Sequence, residues 1–201
     1  MSQPQVPRPG HSSLLHAVAT ALLVIAATPS IAGADGPEGA FVGASVGQNN
    51  GSAWVFGPEE SGYPQLTVEL SETTWRVFGG YRWRQAGVEC GYRDLGTAED
   101  TVEGFPVSVS SKGWDAFAVG LVPLGRLELF GKLGMYFHDL ERSDPSSPSA
   151  YVISGLNTPI GAVGVSVRWP AVSLRLEWER SFDAEYVSAV SVGVVLHLTR
   201  P

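Results

Sequence analysis

Apolar and polar side chains alternate with a period of two along residues 73–96, TTWRVFGGYRWRQAGVECGYRDLG. Every odd position from 75 to 83 is apolar, aromatic or glycine, whereas the even positions include three arginines. After Gln85 the alternation resumes, with Ala86, Val88, Cys90 and Tyr92 on one face. This pattern predicts two antiparallel strands joined by a tight turn. A soluble sandwich buries such an apolar face, whereas a membrane barrel turns it to lipid. One hairpin is compatible with both fold classes.

The same period recurs along the chain and predicts about eight antiparallel strands in all. They cover residues 39–48, 66–84, 86–95, 114–122, 126–138, 158–169, 172–182 and 186–198. Long polar segments, predicted as loops, occupy residues 49–65, 96–110 and 139–156, and a short connection lies near Asp183. Short turns occupy residues 84–86, 123–125 and 170–171. Outer-membrane barrels combine short periplasmic turns with longer extracellular loops, so this asymmetry favours an all-β, eight-stranded antiparallel up-and-down transmembrane β-barrel.

Ions and small residues indicate which face of the predicted sheet points inward. Most ionic side chains of the strands lie opposite the aliphatic residues: Arg76, Arg82, Arg84, Glu89, Arg93, Glu128, Lys132, Arg168, Arg175, Glu177 and Glu179. We place nine small residues on the same inward face: Gly80, Gly91, Ala116, Ala118, Gly120, Gly134, Ala162, Gly164 and Gly193. Small side chains suit the interior of a narrow barrel.

The opposite, aliphatic face is therefore predicted to contact lipid, because so apolar an exterior is intolerable in water. On this assignment Leu133 and Val192 touch lipid near mid-bilayer, and Phe117, Val119 and Leu121 of the fourth strand point outward. An aromatic girdle is predicted toward the strand ends. Its members are Trp75, Trp83, Trp114, Trp169, Trp178, Tyr81 and Tyr92.

Four ionic residues of opposite sign occur near the middle of their predicted strands. They are Glu89, Lys132, Arg175 and Glu177. Unpaired buried charges are costly, so we expect them to form one ion network across the lumen. Such a network is either a gate that exchanges partners to admit small ions or a polar plug that fills the barrel.

The first 34 residues have the pattern of a secretory signal peptide. A short apolar run, AVATALLVIAA, is followed by Pro29, and Ala32-Gly33-Ala34 fits a cleavage site. We predict cleavage after Ala34, leaving residues 35–201 as the outer-membrane barrel domain. A transmembrane anchor is the alternative, but this run is too short to span a bilayer.

Composition and the remaining polar residues favour no enzyme. The net charge of −7 gives no reason to expect nucleic acid, and the single Cys90 permits no disulfide within the chain. His138, with Asp139, Glu141 and Ser143 beside it, is the one candidate for a lipid-modifying site at the outer rim. These neighbours also suit an ordinary polar loop. We therefore predict no catalytic residue, no cofactor-binding residue and no metal site.

Five segments in this order resemble the OmpA-like family of eight-stranded outer-membrane barrels: GAFVGASVGQ, VFGGYRW, GVECGYRDLG, LFGKLGMYF and LRLEWERSF. The resemblance covers about residues 40–198. It implies a lumen network carried by Glu89, Lys132 and Arg175, with Glu177 as a further candidate. Many family members continue into a periplasmic peptidoglycan-binding domain, whereas this sequence stops at Pro201. Its end, LHLTRP, lacks the terminal aromatic residue that many barrels present to the assembly machinery.

These observations together predict an outer-membrane protein of a Gram-negative bacterium with a structural or surface-interaction role. Its expected partners are the outer-membrane lipid bilayer, the barrel assembly machinery and an extracellular loop ligand that the sequence does not specify. A narrow gated pore for small ions is the first alternative. A lipid-modifying enzyme at the rim is the second.

Overall fold

The structure is a computed structural model that describes residues 38–55, 66–102, 105–144, 147–182 and 187–198. Its strands are β1 (Gly39–Val55), β2 (Leu66–Trp83), β3 (Ala86–Val102), β4 (Phe105–Leu124), β5 (Leu127–Asp144), β6 (Ser147–Arg168), β7 (Val172–Ser181) and β8 (Val187–His197). Each strand pairs antiparallel with the next, and β1 pairs with β8 to close the barrel. The predicted fold class is confirmed. The predicted signal peptide, residues 1–34, lies outside the described residues.

The short turns lie where the sequence predicts them, at one end of the barrel. Arg84 and Gln85 join β2 to β3, Gly125 and Arg126 join β4 to β5, and residues 169–171 join β6 to β7. Gly125 has a φ of +70°, a backbone conformation that glycine adopts without steric cost. Arg84, which we had placed in the lumen, lies in the first turn and is exposed, 3.4 Å from Glu38. That assignment is wrong because the strand alternation ends at the turn.

Two of the three long segments predicted as loops, 96–110 and 139–156, are largely paired strand where described, and residues 49–55 of the third are strand as well, whereas its residues 56–65 lie outside the described residues. β1 runs to Val55, β3 and β4 pair as far as Val102 and Phe105, and β5 and β6 pair as far as Asp144 and Ser147. Where a strand leaves the bilayer, water solvates both of its faces, so backbone pairing continues without apolar alternation. The predicted loops at 96–110 and 139–156 are therefore wrong as loops, although their polarity correctly marks the end away from the short turns.

Aliphatic and aromatic side chains cover the outside of the barrel. Val192 is 55% exposed and Leu133 is 37% exposed, which confirms that both point away from the lumen. Five tryptophans and Tyr81 are also well exposed, at 42–64%: Trp75, Trp83, Trp114, Trp169 and Trp178. Among the described residues, no helix is long and apolar enough to cross a membrane.

Strand β4 has the opposite facing to the one predicted. Phe117, Val119 and Leu121 are 3%, 4% and 7% exposed and point into the lumen. Ala118 lies on the outer face, opposite Val88 of β3 and Leu133 of β5, two residues that are themselves exposed. Ala116 and Gly120 alternate with these buried residues and therefore share the outward face of Ala118. The prediction is wrong because it took small side chains as the mark of the inward face, whereas the buried side chains of β4 are large.

Candidate functional site

A network of ion pairs occupies the middle of the lumen. Its cations are Arg76, Arg93, Lys132 and Arg175. Its carboxylates are Glu89, Asp115, Glu177 and Glu179. Four positive and four negative charges leave the network formally neutral, as the low dielectric of a closed lumen requires.

The structure brings together the four residues that the sequence singled out. Lys132 of β5 places its Nζ atom 2.7 Å from Glu89 Oε1 of β3 and 2.7 Å from Glu177 Oε2 of β7. Arg175 Nη1 lies 2.8 Å from Glu89 Oε2 and 3.9 Å from Glu177 Oε2. The side chains of Glu89 and Lys132 have no solvent exposure. One carboxylate thus receives charge-assisted hydrogen bonds from two strands across the barrel.

The sequence did not single out Asp115, on which the second half of the network is built. Arg76 binds it in a bidentate manner, with Nε 2.7 Å from Oδ2 and Nη2 2.5 Å from Oδ1, and Arg93 Nε lies 2.7 Å from Oδ2. Arg93 also forms a bidentate pair with Glu179, and Arg76 Nη1 lies 2.6 Å from Glu89 Oε1. Asp115 was missed because β4 was assigned the wrong facing.

Aromatic rings fill the lumen around these charges. Lys132 Nζ lies 5.3–5.7 Å from the ring centroids of Phe78, Phe117 and Phe130. The guanidinium of Arg175 lies 4.7 Å from the Phe130 centroid and 5.2 Å from that of Phe78. Such contacts add cation–π attraction to packing. Two cavities of about 20 Å³ border the network, one on the short-turn side and one on the far side.

A second ionic cluster lies nearer the short turns. Glu128 pairs with Arg82 and lies 3.3 Å from Arg168 Nη1, and Arg168 Nη2 donates to the carbonyl of Gly125 at 3.2 Å. His197 Nε2 and Ser173 Oγ are 2.7 Å apart at the same end. These residues lie in the lumen on the side of the short turns.

The candidate rim site around His138 is a set of hydroxyl contacts. Its Nδ1 lies 2.9 Å from Ser111 Oγ, its Nε2 lies 3.1 Å from Thr158 Oγ1, and its ring stacks on Tyr136 at 4.4 Å. Asp139 accepts a hydrogen bond from the Gly155 amide at 3.1 Å, and Glu141 is exposed beyond it. The side chain of Ser143 lies outside the described residues. A catalytic triad would need a carboxylate on one ring nitrogen, whereas both face hydroxyls.

A metal centre is likewise not part of the described lumen or rim. Among the described residues, no group of His, Cys, Asp and Glu side chains is arranged to hold a metal ion. Cys90 is exposed on the outer face of β3. The chemistry available at the centre of the barrel is therefore ion pairing and cation–π packing, which can block the lumen or rearrange within it.

A closed eight-stranded barrel with an apolar exterior and a charged, filled interior defines the class of transmembrane β-barrel proteins. The model of the OmpA-like transmembrane domain matches residues 38–195, so the chain belongs to that family. The resemblance inferred from the five sequence segments is thereby confirmed. No curated protein sequence matches the chain.

Two solved structures illustrate the likeness of fold. Neisserial surface protein A from Neisseria has a TM-score of 0.59 and 13% identity, covering 79% of this chain and 97% of that one. The attachment invasion locus protein Ail of Yersinia pestis, solved with the heparin analogue sucrose octasulfate, has a TM-score of 0.52 and 13% identity, covering 79% and 98%. At this identity the likeness concerns the fold alone.

Proposed function

We propose that the protein is an outer-membrane barrel of a Gram-negative bacterium with a structural or surface-interaction role and a lumen closed to solutes. The observation that carries this proposal is the ion network packed between phenylalanine rings. Lys132 and Glu89 have no solvent exposure, and the cavities beside the network hold only about 20 Å³ each. A lumen so filled leaves the outer strands and their connections as the surface available to a partner.

The extensions of the strands beyond the bilayer support the surface role. β3 and β4 continue pairing through residues 97–110, and β5 and β6 continue through residues 140–153, although their sequences lack the apolar face of a membrane segment. Antiparallel pairing fixes the backbone of these strand segments relative to the barrel. Such hairpins present a rigid surface to an extracellular ligand at a lower entropic cost than long loops.

Fractionation of the cell envelope tests the location and architecture. The protein is expected in the outer membrane, migrating faster on electrophoresis before boiling than after it. Its mature chain is expected to begin at Asp35, after removal of the signal peptide and assembly by the outer-membrane machinery. Recovery in the inner membrane or cytoplasm, or a mature chain that retains Met1, would contradict this part of the proposal.

A narrow gated pore is the second candidate, and one observation favours it. Lys132 lies 2.7 Å from two carboxylates on different strands, Glu89 and Glu177, so a small movement exchanges its partner. Cavities on both sides of the network are the vestibules that such a pore would use. Single-channel recording in planar bilayers separates the candidates, because a plug carries no current and a gate opens in discrete steps.

A further inference from the structure

Positive charge exceeds negative charge at the short-turn end of the lumen. Arg82 and Arg168 share Glu128, the carboxylate paired with both in the described part of the chain. The side chains of Arg82 and Glu128 are each 5% exposed, and that of Arg168 is 11% exposed. The central network is neutral, so one positive charge is left over in a poorly solvated place. An uncompensated charge of this kind is costly.

A cavity of about 20 Å³ separates this cluster from the central network. Its polar lining consists of Arg82, Glu128, Ser166, Arg175, Ser173 and His197. Aliphatic and aromatic side chains form the rest of the wall, which keeps the local dielectric low. A volume of this size accommodates a water molecule or a small ion. Guanidinium and hydroxyl groups predominate in the polar lining, and these groups donate hydrogen bonds.

Arg175 contributes a donor that is free to bind a ligand there. Its Nη1 atom is paired with Glu89 at 2.8 Å, but its Nε atom is buried and has no hydrogen-bond partner among the described residues. The side chain is 10% exposed and lines the cavity. A buried N–H group without an acceptor costs its full desolvation energy, so an acceptor at this position stabilises the barrel.

We propose that this cavity binds one small monovalent inorganic anion of the size of chloride. Arg175 Nε, Arg82 and the hydroxyls of Ser166 and Ser173 are its ligands. The anion supplies the missing acceptor and cancels the excess charge in a single step. Glu128 on the same wall opposes a second negative charge, and the volume excludes phosphate or sulfate. The site lies inside the lumen and does not depend on the surface role proposed above.

Bromide substitution locates the ion directly. The wild-type protein is crystallised in detergent with sodium bromide in place of sodium chloride, and anomalous differences are collected at the bromine edge. We expect one peak in the lumen within hydrogen-bonding reach of Arg175 Nε. Density at that position without a bromine signal means a water molecule, and it overturns the proposal.

Thermal unfolding in detergent tests the same site in solution. The unfolded fraction is measured from the heat-modifiable shift on electrophoresis. At equal ionic strength, the wild-type midpoint is expected to rise by a few degrees with chloride and then saturate, compared with gluconate, which is too large to enter. Arg82→Gln removes the excess charge and should lose this dependence. Arg126→Gln, an exposed arginine in the turn at the same end, is the matched control and should retain it.

Two results of the solution experiment contradict the site. One is an identical wild-type midpoint in chloride and gluconate, and the other is an Arg82→Gln barrel that responds to chloride as the wild type does. If Arg82→Gln does not fold, Ser173→Ala serves instead, because it removes one hydroxyl ligand and leaves every ion pair in place. It should need several-fold more chloride to reach the same shift, and an unchanged requirement counts against the site.

Discussion

Lys132 shows how much of the lumen depends on single residues. Its ammonium group is shared by Glu89 and Glu177, but the two carboxylates are not equivalent. Glu89 also receives Arg76 at 2.6 Å and Arg175 at 2.8 Å, whereas Arg175 at 3.9 Å is the other cation within 4 Å of Glu177 among the described residues. Loss of Lys132 therefore leaves Glu177, rather than Glu89, without a close cation. The sequence did not decide which of the two carboxylates depends on Lys132.

Lys132→Ala is expected to lower the free energy of unfolding by about 3–5 kcal/mol, or less if water enters, because it leaves a buried carboxylate short of its partner. Adding Glu177→Gln should recover part of this loss. Adding Glu89→Gln should deepen it, since Arg76 and Arg175 then lose an acceptor. Urea titration of the folded barrel in lipid vesicles measures all three variants. Strictly additive effects in both double mutants would rule out a shared network.

At the scale of one element, β4 determines whether the facing of the barrel has been understood. Ala118 lies opposite Leu133 on the outer surface, and Phe117 points inward. Arginine at Ala118, Leu133 or Val192 should therefore cost on the order of 2–4 kcal/mol, the range for lipid-facing positions at mid-bilayer. A lipid-phase quencher should reach cysteine-linked probes at 118 and 133 in a Cys90→Ser background. Stronger quenching at 117 than at 118 would restore the facing first predicted.

The error on β4 shows what the sequence pattern does and does not contain. Five strands (β2, β3, β5, β6 and β7) carry ions on one face and aliphatic residues on the other, and β1 and β8 alternate without ions. Strand number, turns and the four central ionic residues therefore follow from alternation. In WDAFAVGLV both faces are mostly apolar, so the size of the side chains was the remaining criterion for assigning the inward face. The single carboxylate of this segment, Asp115, shares a face with Phe117, and its charge identifies that face as the inward one. Which side chains fill the lumen at β4 depends on packing between strands, which the pattern does not contain.

The extended hairpins make a second prediction at this scale. Backbone amides in residues 97–101, which pair with residues 106–110, should exchange with deuterium far more slowly than an unstructured peptide of the same sequence. Hydrogen exchange with mass spectrometry on the barrel in nanodiscs measures this directly. Exchange at the rate of the unstructured peptide would contradict the strand pairing and support the loop that the composition of this segment suggests.

Two glycines provide a matched pair of variants for the same hairpins. Gly96 and Gly155 have φ angles of +84° and +77°, so alanine at either is expected to cost roughly 1–2 kcal/mol locally. A Cβ atom at Gly96 would also lie 2.9 Å from the Thr73 carbonyl oxygen, whereas none of the described atoms lies within 4 Å at Gly155. Gly96→Ala should therefore reduce exchange protection of its hairpin more than Gly155→Ala does.

At the scale of the whole molecule, the barrel combines an apolar exterior with an interior filled by ion pairs and aromatic rings. Eleven ionic side chains in two clusters span the lumen between the short turns and the outer mouth, interleaved with phenylalanine rings: Arg76, Arg82, Glu89, Arg93, Asp115, Glu128, Lys132, Arg168, Arg175, Glu177 and Glu179. Because salt bridges connect several strands within each cluster, removing one member leaves most of the ion pairs in place.

Conductance of the Lys132→Ala barrel therefore separates a plug from a gate. If the proposed closed lumen is correct, wild type and variant should both carry no resolvable current in planar bilayers, while the variant alone loses stability, since Arg76, Arg93 and Arg175 still cross the lumen. Leu129→Ala, which shortens an outward-facing side chain on the same strand, controls for nonspecific loosening of the barrel. Discrete openings that appear in Lys132→Ala and not in Leu129→Ala would overturn the plug and establish the network as a gate.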